Sequence, residues 1–530
     1  MVATAALATL GTVQYPVSDN IRYVVGLLRV SGYPPAETFA HRPIVYRLLM
    51  AMQAWLPDVA SRQFGEPHSE PRLAAFETGL NVVSVGWALG AAALLWAGLR
   101  RNHPQVAWAY GIGAYATLAF LTPMLGEPDW YAAMFAVAAV GAGLLGNRWL
   151  GGSLGGFLLA LAALVKFVTL PIALAALLVL WVLDARRAAI ATVAAGLIGS
   201  LTLVVIAVWV PWEIGWMLDI RALQPFFWDG LTTVTAIRDC LVQLAVMWPA
   251  VILVPAFFLG ADLKERLVAA AALVLAAAPI VLQGEYWLYH TIGVVVVSCL
   301  LAVRTLLRSR GALFWPMVAC SAWTALVFVI PWRFHVYAGL NRGAEIVGHG
   351  KRVVLITAAC AVVLFVLQWW ALRQPDAQEP ALATTGPVKV ALAVVAALLA
   401  SQTPPALAAS TESRRQHNDQ AADVRGVIGE NPVAYLTPGW STYFLGNPTR
   451  CRYPSPLFLQ RRTAPEVVTP AHRDENLACL AEAGARWLVW KQDWLRPETA
   501  AVDVLAAIDR TWDCARAEQV AGYVLCPRLP

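Results

Sequence analysis

Few charged side chains interrupt the apolar stretches of this 530-residue sequence, and two of them are notable for their position. Asp19 follows the first apolar segment, where a carboxylate can accept a proton or cap the helix that begins there. Lys166 lies between two apolar segments, where an ammonium group is costly unless it is paired, faces a cavity or reaches the membrane interface. Neither residue belongs to a familiar signature, because the sequence contains no GxxxxGK[ST], HExxH or CxxC motif.

An acidic pair, Glu127 and Asp129, lies in the turn LGEPDWY between two apolar segments. Two carboxylates this close could bind a divalent cation, since carboxylate oxygens are the usual ligands of hard cations. They could equally cap the helix that begins near Trp130. The sequence leaves both interpretations of this pair open.

Two further turns carry polar side chains next to aromatic residues. In GEYWLYH, Glu285, Tyr286 and His290 could hydrogen-bond a polar ligand, although solvated turn residues are the simpler interpretation. Arg333 follows an apolar segment that ends in Pro-Trp, where anchoring at the membrane interface is favoured over a functional role. These four residues are therefore secondary candidates.

The composition identifies the elements that must position these side chains. Hydrophobic residues make up 59% of the chain, charged residues only 14%, and the mean hydropathy is +0.60. Soluble globular proteins carry about 25% charged residues, so this chain is predicted to lie in a lipid bilayer. A net charge of only +6, with 23 Trp and 14 Tyr, excludes a strongly basic nucleic-acid-binding protein and a disordered chain.

A membrane-spanning helix needs about 20 mostly apolar residues, and this criterion predicts thirteen segments. They are residues 2–13, 73–99, 105–121, 130–147, 151–166, 168–183, 188–210, 237–260, 267–282, 291–304, 311–331, 353–372 and 388–403. The first is short and is interpreted as a span with a truncated start. Two short helices are expected to meet at Lys166, because one long span would place this lysine in mid-membrane. Short basic loops then place the N-terminus in the cytoplasm and the C-terminal region outside the cell membrane.

Charge becomes denser after Pro404, where 127 residues hold 14 basic and 14 acidic side chains. The predicted organisation is a membrane domain over 1–403, a polar linker over 404–423 and an external domain over 424–530. Apolar patterns in the last domain predict strands at 432–436, 487–491 and 522–526 and helices at 475–483 and 499–508. This domain is therefore predicted to be a small α/β domain.

The external domain contains four cysteines, Cys451, Cys479, Cys514 and Cys526. An even number is compatible with two disulfides, which require an oxidising compartment. Cys451 with Cys479 and Cys514 with Cys526 are the preferred pairs. The sequence does not choose among the three connectivities, and four unpaired thiols are the alternative.

The loop from Gln14 to about Arg72 is the most informative stretch. Residues 20–30 and 40–56 carry apolar side chains at helical spacing with basic residues between them, which predicts two helices in the membrane interface. On PVSDNIRY (16–23), HRPIVY (41–46) and this architecture, the chain resembles the GT-C superfamily of polyprenyl-phosphate-sugar-dependent glycosyltransferases, especially actinobacterial mannosyl- and arabinosyltransferases. The fold class that follows is an all-α polytopic membrane protein of about 13 transmembrane helices with a small external α/β domain.

The resemblance implies transfer of a sugar, mannose or arabinofuranose, from polyprenyl phosphate to a glycan or glycolipid at the external face. Asp19 stands in the place of the family's first-loop acid and would take the acceptor proton, with helix capping as its alternative role. The basic candidates for binding the donor phosphate are Lys166, Arg333, Arg42 and His41. Candidates for the sugar, the acceptor or a metal are Glu127, Asp129, Glu285, Tyr286 and His290. A need for Mg²⁺ or Mn²⁺ stays open, because some members of the superfamily use one and others use none.

Two other functions are alternatives. A polytopic transporter or lipid flippase should carry paired charges within its spans, whereas the sequence offers only Lys166 and no clear internal repeat. A cell-envelope glycan assembly protein would act through its external domain, where no aromatic platform is specific enough to identify a ligand. The predicted partners are the lipid-linked donor, the acceptor and membrane lipids, without nucleic acid.

Overall fold

The computed structural model describes residues 9–120, 124–223, 251, 253–283, 288–308, 359, 362–363, 365–367, 369–370, 403–456, 459–482 and 484–530. The helices are α1 (Asp19–Val30), α2 (Ile44–Ser61), α3 (Glu70–Arg100), α4 (Ala107–Phe120), α5 (Pro128–Leu144), α6 (Arg148–Leu164), α7 (Leu170–Leu183), α8 (Ala185–Trp209), α9 (Trp212–Leu223), α10 (Val254–Gly260), α11 (Leu263–Gln283), α12 (Ile292–Arg308), α13 (Thr403–Ile428), α14 (Gly439–Leu445), α15 (Ala464–Val467), α16 (Pro470–Leu480) and α17 (Val502–Thr511). The strands are β1 (Val433–Leu436), β2 (Trp487–Trp490), β3 (Glu518–Val520) and β4 (Tyr523–Pro527).

The chain divides into two compact units. Unit 1 comprises Met1–Tyr15, Asn81–Gly199 and Leu231–Ala408, and unit 2 comprises Pro16–Leu80, Ser200–Gly230 and Ala409–Pro530. The long loop after the first apolar segment therefore groups with the C-terminal region, whereas the sequence placed it in a membrane domain over 1–403. Local hydrophobic patterns cannot reveal this grouping, because it depends on contacts between distant parts of the chain.

Several helices within the described residues are long and apolar enough to cross a membrane. These are α3, α8, α11 and Tyr289–Arg308, which is α12 with the short 3₁₀ turn before it, and α6 and Phe167–Leu183 are shorter apolar helices. The predicted span 311–331, and most of 2–13, 237–260, 353–372 and 388–403, lie outside the described residues. The fold is that of a polytopic helical membrane protein with a small sheet domain, as predicted.

Helix α5 is the most buried of the described helices of unit 1, since every one of its residues is enclosed. It packs closely against α6 and α7. The GGSLGG stretch (151–156) lies inside α6, where a Cβ on Gly156 would come within 2.7 Å of Ala194 Cβ. Small residues thus allow close helix packing here. Residues 151–155 also have GxSxG spacing, but they are helical and do not form the strand-to-helix turn that this motif requires.

The helix break predicted at Lys166 is confirmed. Helix α6 ends at Leu164, Lys166 has an extended backbone (φ −161°, ψ 116°), and α7 begins at Leu170 after a 3₁₀ turn. Pro171 lies in the first turn of α7, where it needs no amide hydrogen bond and cannot continue the preceding helix. The lysine is therefore presented from the junction between two short helices.

The two helices of the first loop belong to unit 2. Helix α2 begins at Ile44, so the prediction of helix over residues 40–43 is wrong. Pro43 explains the later start, because a proline disfavours helical geometry in the residue before it and is tolerated only at a helix start. Helix α2 exposes apolar side chains on one face, which suits the predicted position in a membrane interface. They are Leu48, Met52, Trp55, Leu56 and Val59.

The C-terminal part of unit 2 contains a four-stranded sheet in the order β1-β2-β4-β3. Strands β1 and β2 are parallel, and β4 is antiparallel to both β2 and β3. The three predicted strands are confirmed, while β3, with its Glu-Gln-Val sequence, gave no apolar signal. Leu480 of α16 and Val504 and Ile508 of α17 are buried in the hydrophobic core that these helices share with the sheet.

The structure bears on two predictions about the linker and the external domain. The predicted linker 404–423 is helical, as part of α13, because it is rich in helix formers and places its prolines in the first turn. Disulfides join Cys451 to Cys479, with Cα atoms 5.5 Å apart, and Cys514 to Cys526, with Cα atoms 4.7 Å apart. The second bridge links the segment after α17 to β4, so it ties a helix to the sheet.

Candidate active site

Asp19 is the first residue of α1, but it does not cap the helix. The cap is Ser18, whose side chain accepts a hydrogen bond from the Ile21 amide at 3.3 Å. Asp19 Oδ1 instead accepts a hydrogen bond from Arg22 Nη1 at 3.2 Å, one turn along the helix. The Asp19 side chain is 58% exposed. Because Ser18 caps the helix, the Asp19 carboxylate remains available for chemistry.

Arg22 connects Asp19 to a buried acidic residue of α3. Arg22 Nε donates to Glu77 Oε1 at 2.9 Å, and Arg22 Nη2 donates to Glu77 Oε2 at 3.2 Å. Both side chains are almost fully buried. Burial alone would lower the pKa of Arg22, but Glu77 and then Asp19 raise it above its usual value. Arg22 thus stays charged and holds the Asp19 carboxylate in one orientation.

Arg414 of α13 extends this network. Its Nη1 lies 3.4 Å from Glu77 Oε2, and its Nε donates to Glu70 Oε1 at 2.7 Å. Arg414, Glu70 and Glu77 were not among the site residues predicted from the sequence. Glu77 did carry a signal, because a carboxylate within an apolar segment is a functional candidate by default. Arg414 carried none, since it lies in a charged stretch that was interpreted as a linker.

His417 follows Arg414 by three residues on α13 and was also missed. Its ring lies 4.3 Å from the Trp440 ring and 5.5 Å from the Phe444 ring, between centroids. The Arg22 guanidinium lies over the same Phe444 ring at 5.3 Å. Burial lowers the pKa of His417, and the charge of Asp19 acts in the opposite direction. His417 is therefore within electrostatic reach of the Asp19 carboxylate.

The predicted phosphate ligands His41 and Arg42 lie in the loop before α2. The His41 backbone has a φ of +44°, a left-handed value that is uncommon for a residue with a side chain. Its ring contacts Tyr23 of α1 edge-on, with centroids 5.4 Å apart. Burial raises the pKa of Tyr23, and Arg42 partly opposes this effect. The structure thus brings both residues beside α1, the helix that begins at Asp19.

A fully buried ion pair holds that loop in place. Arg47 Nη1 donates to Glu213 Oε2 at 2.9 Å and to the Arg42 carbonyl oxygen at 2.7 Å. Glu213 Oε1 also accepts a hydrogen bond from the Ile44 amide at 2.8 Å. Burial lowers the pKa of Arg47 and raises that of Glu213, and each partner opposes the shift of the other. The pair fixes the backbone that carries Arg42, so Arg47 and Glu213 are positioning residues.

A second polar cluster lies inside unit 1 and contains three predicted residues. Lys166 Nζ lies 3.0 Å from Asp129 Oδ2 and donates to Gln283 Oε1 at 2.5 Å. Gln283 Nε2 donates to Asp129 Oδ1 at 3.2 Å, and His290 Nδ1 lies 3.3 Å from the same oxygen. The Lys166 ammonium also lies 5.4 Å from the centroid of the Tyr289 ring. Lys166 is therefore paired, and Asp129 has no exposed surface.

The acidic pair of the LGEPDWY turn is split between two environments. Glu127 occupies the N-cap position of α5 but makes no capping hydrogen bond through its side chain. Both Asp129 oxygens are engaged by Lys166, Gln283 and His290, so this cluster does not fit a divalent cation. Within the part of the chain that the structure describes, no three His, Cys, Asp or Glu side chains come together as a metal site.

Three predicted site residues, Glu285, Tyr286 and Arg333, lie outside the described residues. The others fall into two groups, one in each unit. Asp19, His41 and Arg42 belong to unit 2, and Glu127, Asp129, Lys166 and His290 belong to unit 1.

Comparison with known proteins gives matches at the level of structure. No protein-family model matches the sequence, and no curated protein matches it. The chain is similar to the crystal structure of ArnT from Cupriavidus metallidurans in the apo state, with 14% identity, a TM-score of 0.54 and coverage of 98% of this chain and 95% of ArnT. The chain has the GT-C fold. The ArnT structure bound to undecaprenyl phosphate is also similar to it, with 14% identity, a TM-score of 0.57 and coverage of 99% and 96%.

The GT-C fold agrees with the resemblance based on PVSDNIRY, HRPIVY and the arrangement of elements. The match covers nearly the whole of both chains, so the likeness is not confined to one helical bundle. At 14% identity it establishes the fold and not a substrate. The long apolar helices are those of a membrane protein, and the assignment of a reaction depends on the residues of the candidate site.

Proposed function

We propose that this chain is a membrane glycosyltransferase that moves a sugar from a polyprenyl-phosphate donor to a hydroxyl of a glycan or glycolipid. The observation that carries the proposal is the exposed Asp19 carboxylate, held by the buried Arg22–Glu77 pair in a chain with the GT-C fold. ArnT has been crystallised with undecaprenyl phosphate, which supports a polyprenyl phosphate as the lipid of the donor. Mannose or arabinofuranose is the proposed sugar, and the proposed site of transfer is the external face.

In the proposed reaction the acceptor oxygen attacks the anomeric carbon of the sugar. A bond forms between this oxygen and the carbon, while the bond from the carbon to the phosphate oxygen breaks. Polyprenyl phosphate leaves with the bonding electrons, and Asp19 takes the proton of the acceptor hydroxyl. Arg22 orients the carboxylate through Oδ1, which leaves Oδ2 outside that ion pair. A single displacement of this kind inverts the configuration at the anomeric carbon.

The departing phosphate gains negative charge and needs cationic donors. Arg42 and His41 are the first choice, because they lie beside α1 in the same unit as Asp19. Lys166 is the second choice, since Asp129 already balances its charge. Arg333 is proposed on its sequence position. Replacing each cation in turn, and measuring the KM for the donor, separates these assignments.

The proposal is tested by Asp19→Asn, which keeps the size and the polar character of the side chain. Loss of a general base lowers turnover by about 10²–10⁴-fold. The assay follows release of polyprenyl phosphate from radiolabelled polyprenyl-phosphate mannose and arabinofuranose by membranes that contain the protein. Asp503→Asn is the matched control, because Asp503 also pairs with an arginine, Arg473, elsewhere in unit 2. Full turnover in Asp19→Asn would refute the assignment of the base.

A transporter or lipid flippase is the second candidate, and one observation favours it. Unit 1 contains a buried charge pair, Lys166 with Asp129, where the sequence had offered only the lysine. The pair lies at helix ends, however, at the start of α5 and between α6 and α7. Proteoliposomes that carry an outer donor distinguish the two functions. A transporter moves the intact donor across the membrane, whereas a transferase releases polyprenyl phosphate.

A further inference from the structure

A cavity of unit 2 lies at the far end of α1 from Asp19. It has a volume of about 170 Å³, and its wall includes Arg29, His68, Arg72 and Tyr443. Arg29 follows Asp19 by ten residues, which is about 15 Å along a helix axis. The volume would hold about five or six water molecules and is smaller than the 300–1,000 Å³ typical of small-molecule sites. The cavity therefore suits a compact ligand and is separate from the proposed catalytic acid.

The wall of the cavity carries an excess of positive charge. Arg29 and Arg72 line it, and Asp58 is the one carboxylate among its lining residues. Asp58 is shared, because Arg29 Nη2 lies 2.8 Å from one of its oxygens and Arg62 Nη2 lies 3.1 Å from the other. The Arg72 side chain makes no ion pair or hydrogen bond with any other described residue. The cavity thus presents a cation that no carboxylate neutralises, which favours an anionic ligand.

The arginine of α1 is held rigidly at this wall. The Arg29 guanidinium lies 4.0 Å from the centroid of the Phe76 ring, and Phe76 also lines the cavity. Stacking on an aromatic face fixes the plane of the guanidinium and leaves its edge for hydrogen bonds. A planar donor of this kind matches the oxygens of a carboxylate or a phosphate.

Two enclosed polar atoms of the lining residues lack partners within the described part of the chain. The Tyr443 side chain is 2% exposed, and its hydroxyl makes no hydrogen bond within the described part of the chain. The Nδ1 atom of His68 is also enclosed and without a partner among the described residues. Leaving such a group unsatisfied costs about 1–3 kcal/mol, so side-chain adjustments that bring these groups to a bound ligand would stabilise the complex.

His68 is held against the wall by an unusual backbone. Its φ is +62°, a left-handed value that costs energy for a residue with a side chain. Its ring packs on Gly446, which also has a left-handed backbone (φ +72°), and a Cβ on Gly446 would collide with the ring. Burial, Arg425, Arg29 and Arg72 together lower the pKa of His68 to about 4. The neutral imidazole can donate one hydrogen bond into a site that already contains arginines.

We propose that this cavity binds a phosphate group. Arg29 and Arg72 supply charge and fork-shaped donors, and the Tyr443 hydroxyl and the His68 imidazole supply further hydrogen bonds. The same chemistry would recognise free inorganic phosphate, a phosphate on an acceptor glycan or the headgroup of an anionic phospholipid. The site is independent of the proposed transferase reaction, because none of its residues takes part in that step.

The test measures inorganic phosphate binding to the purified full-length chain by isothermal titration calorimetry. Arg72→Gln removes one charge-assisted contact and should weaken the phosphate Kd by at least about tenfold. Arg62→Gln is the matched control, because Arg62 also binds Asp58 but does not line the cavity. Its Kd should stay within about twofold of the wild-type value. Tyr443→Phe should also weaken binding, because it removes only the hydroxyl.

Further arms separate the sources of the phosphate. In nanodiscs, weaker phosphate binding with phosphatidylglycerol than with phosphatidylcholine would support a lipid headgroup as the ligand. Equal binding in both lipids would support a soluble or glycan-linked phosphate. Asp19→Asn should leave the phosphate Kd unchanged, so the two proposals can fail separately. Absence of phosphate binding in nanodiscs of either lipid, or equal weakening by Arg72→Gln and Arg62→Gln, would overturn the proposal.

Discussion

The contact between α1 and α14 makes a sharp prediction, because it depends on a glycine. Gly26 lies in the middle of α1, where a Cβ would come within 2.6 Å of the Tyr443 amide nitrogen and 2.9 Å of its Cα. Both neighbours are backbone atoms and cannot rotate away. Gly26→Ala must therefore push α1 from α14, and α1 begins with Asp19 and Arg22.

The magnitude follows from two opposing effects. Alanine in place of glycine inside a helix stabilises it by about 0.5–1 kcal/mol. Overpacking against a fixed backbone costs about 1–3 kcal/mol, so Gly26→Ala is expected to destabilise unit 2 by up to about 2.5 kcal/mol. A shift of about 1 Å in Asp19 would lower turnover by as much as about 10²-fold. The protein should still fold, because this loss is smaller than the stability of most domains.

The matched control is Gly426→Ala in α13, a helical glycine of the same unit whose Cβ would meet no atom within 4 Å. This substitution should raise stability by about 0.5–1 kcal/mol and leave turnover unchanged. Thermal unfolding and polyprenyl phosphate release are measured on both variants and on the wild type. A Gly26→Ala protein as stable and as active as Gly426→Ala would refute the packing of α1 described here.

Two other predictions concern buried charge. Glu77→Gln leaves the guanidinium groups of Arg22 and Arg414 without their shared carboxylate. The free energy of unfolding should therefore fall by about 3–5 kcal/mol, and turnover should fall as well. An unchanged melting temperature would contradict this expectation. The second concerns His68, whose pKa is about 4 in the fold and about 6.5 in an unfolded chain. The unfolded chain binds a proton that the fold excludes, so stability is complete above pH 6.5 and falls toward pH 4, by at most about 3 kcal/mol. Denaturation at several pH values should show this loss in the wild type and a smaller one in His68→Asn, which tolerates the left-handed backbone; identical pH profiles would exclude His68 as the cause.

Local signals in the sequence were sufficient for several features. The pattern of apolar segments predicted a polytopic helical protein, and the cost of a lysine in a membrane predicted the break between α6 and α7. Short apolar runs predicted β1, β2 and β4. These features depend on neighbours within a few residues, which a sequence displays directly.

Features that depend on distant contacts could not be predicted in the same way. Arg22 and Glu77 are 55 residues apart, and Glu77 and Arg414 are 337 apart, so no local period relates them. The pairing of Lys166 with Asp129 was missed for the same reason, although each residue was recognised as a candidate. Burial explains the pairing, because charges enclosed in a helical unit must find partners of opposite sign.

In the proposed reaction, the chain transfers a sugar by a single displacement at the anomeric carbon. The most direct measurement incubates the purified protein with a polyprenyl-phosphate sugar of known anomeric configuration and an acceptor, and determines the product linkage by NMR. We expect one polyprenyl phosphate to be released for each sugar transferred, with inverted configuration in the product. A retained configuration would contradict the single displacement, and transport of intact donor without release of polyprenyl phosphate would contradict the transferase itself.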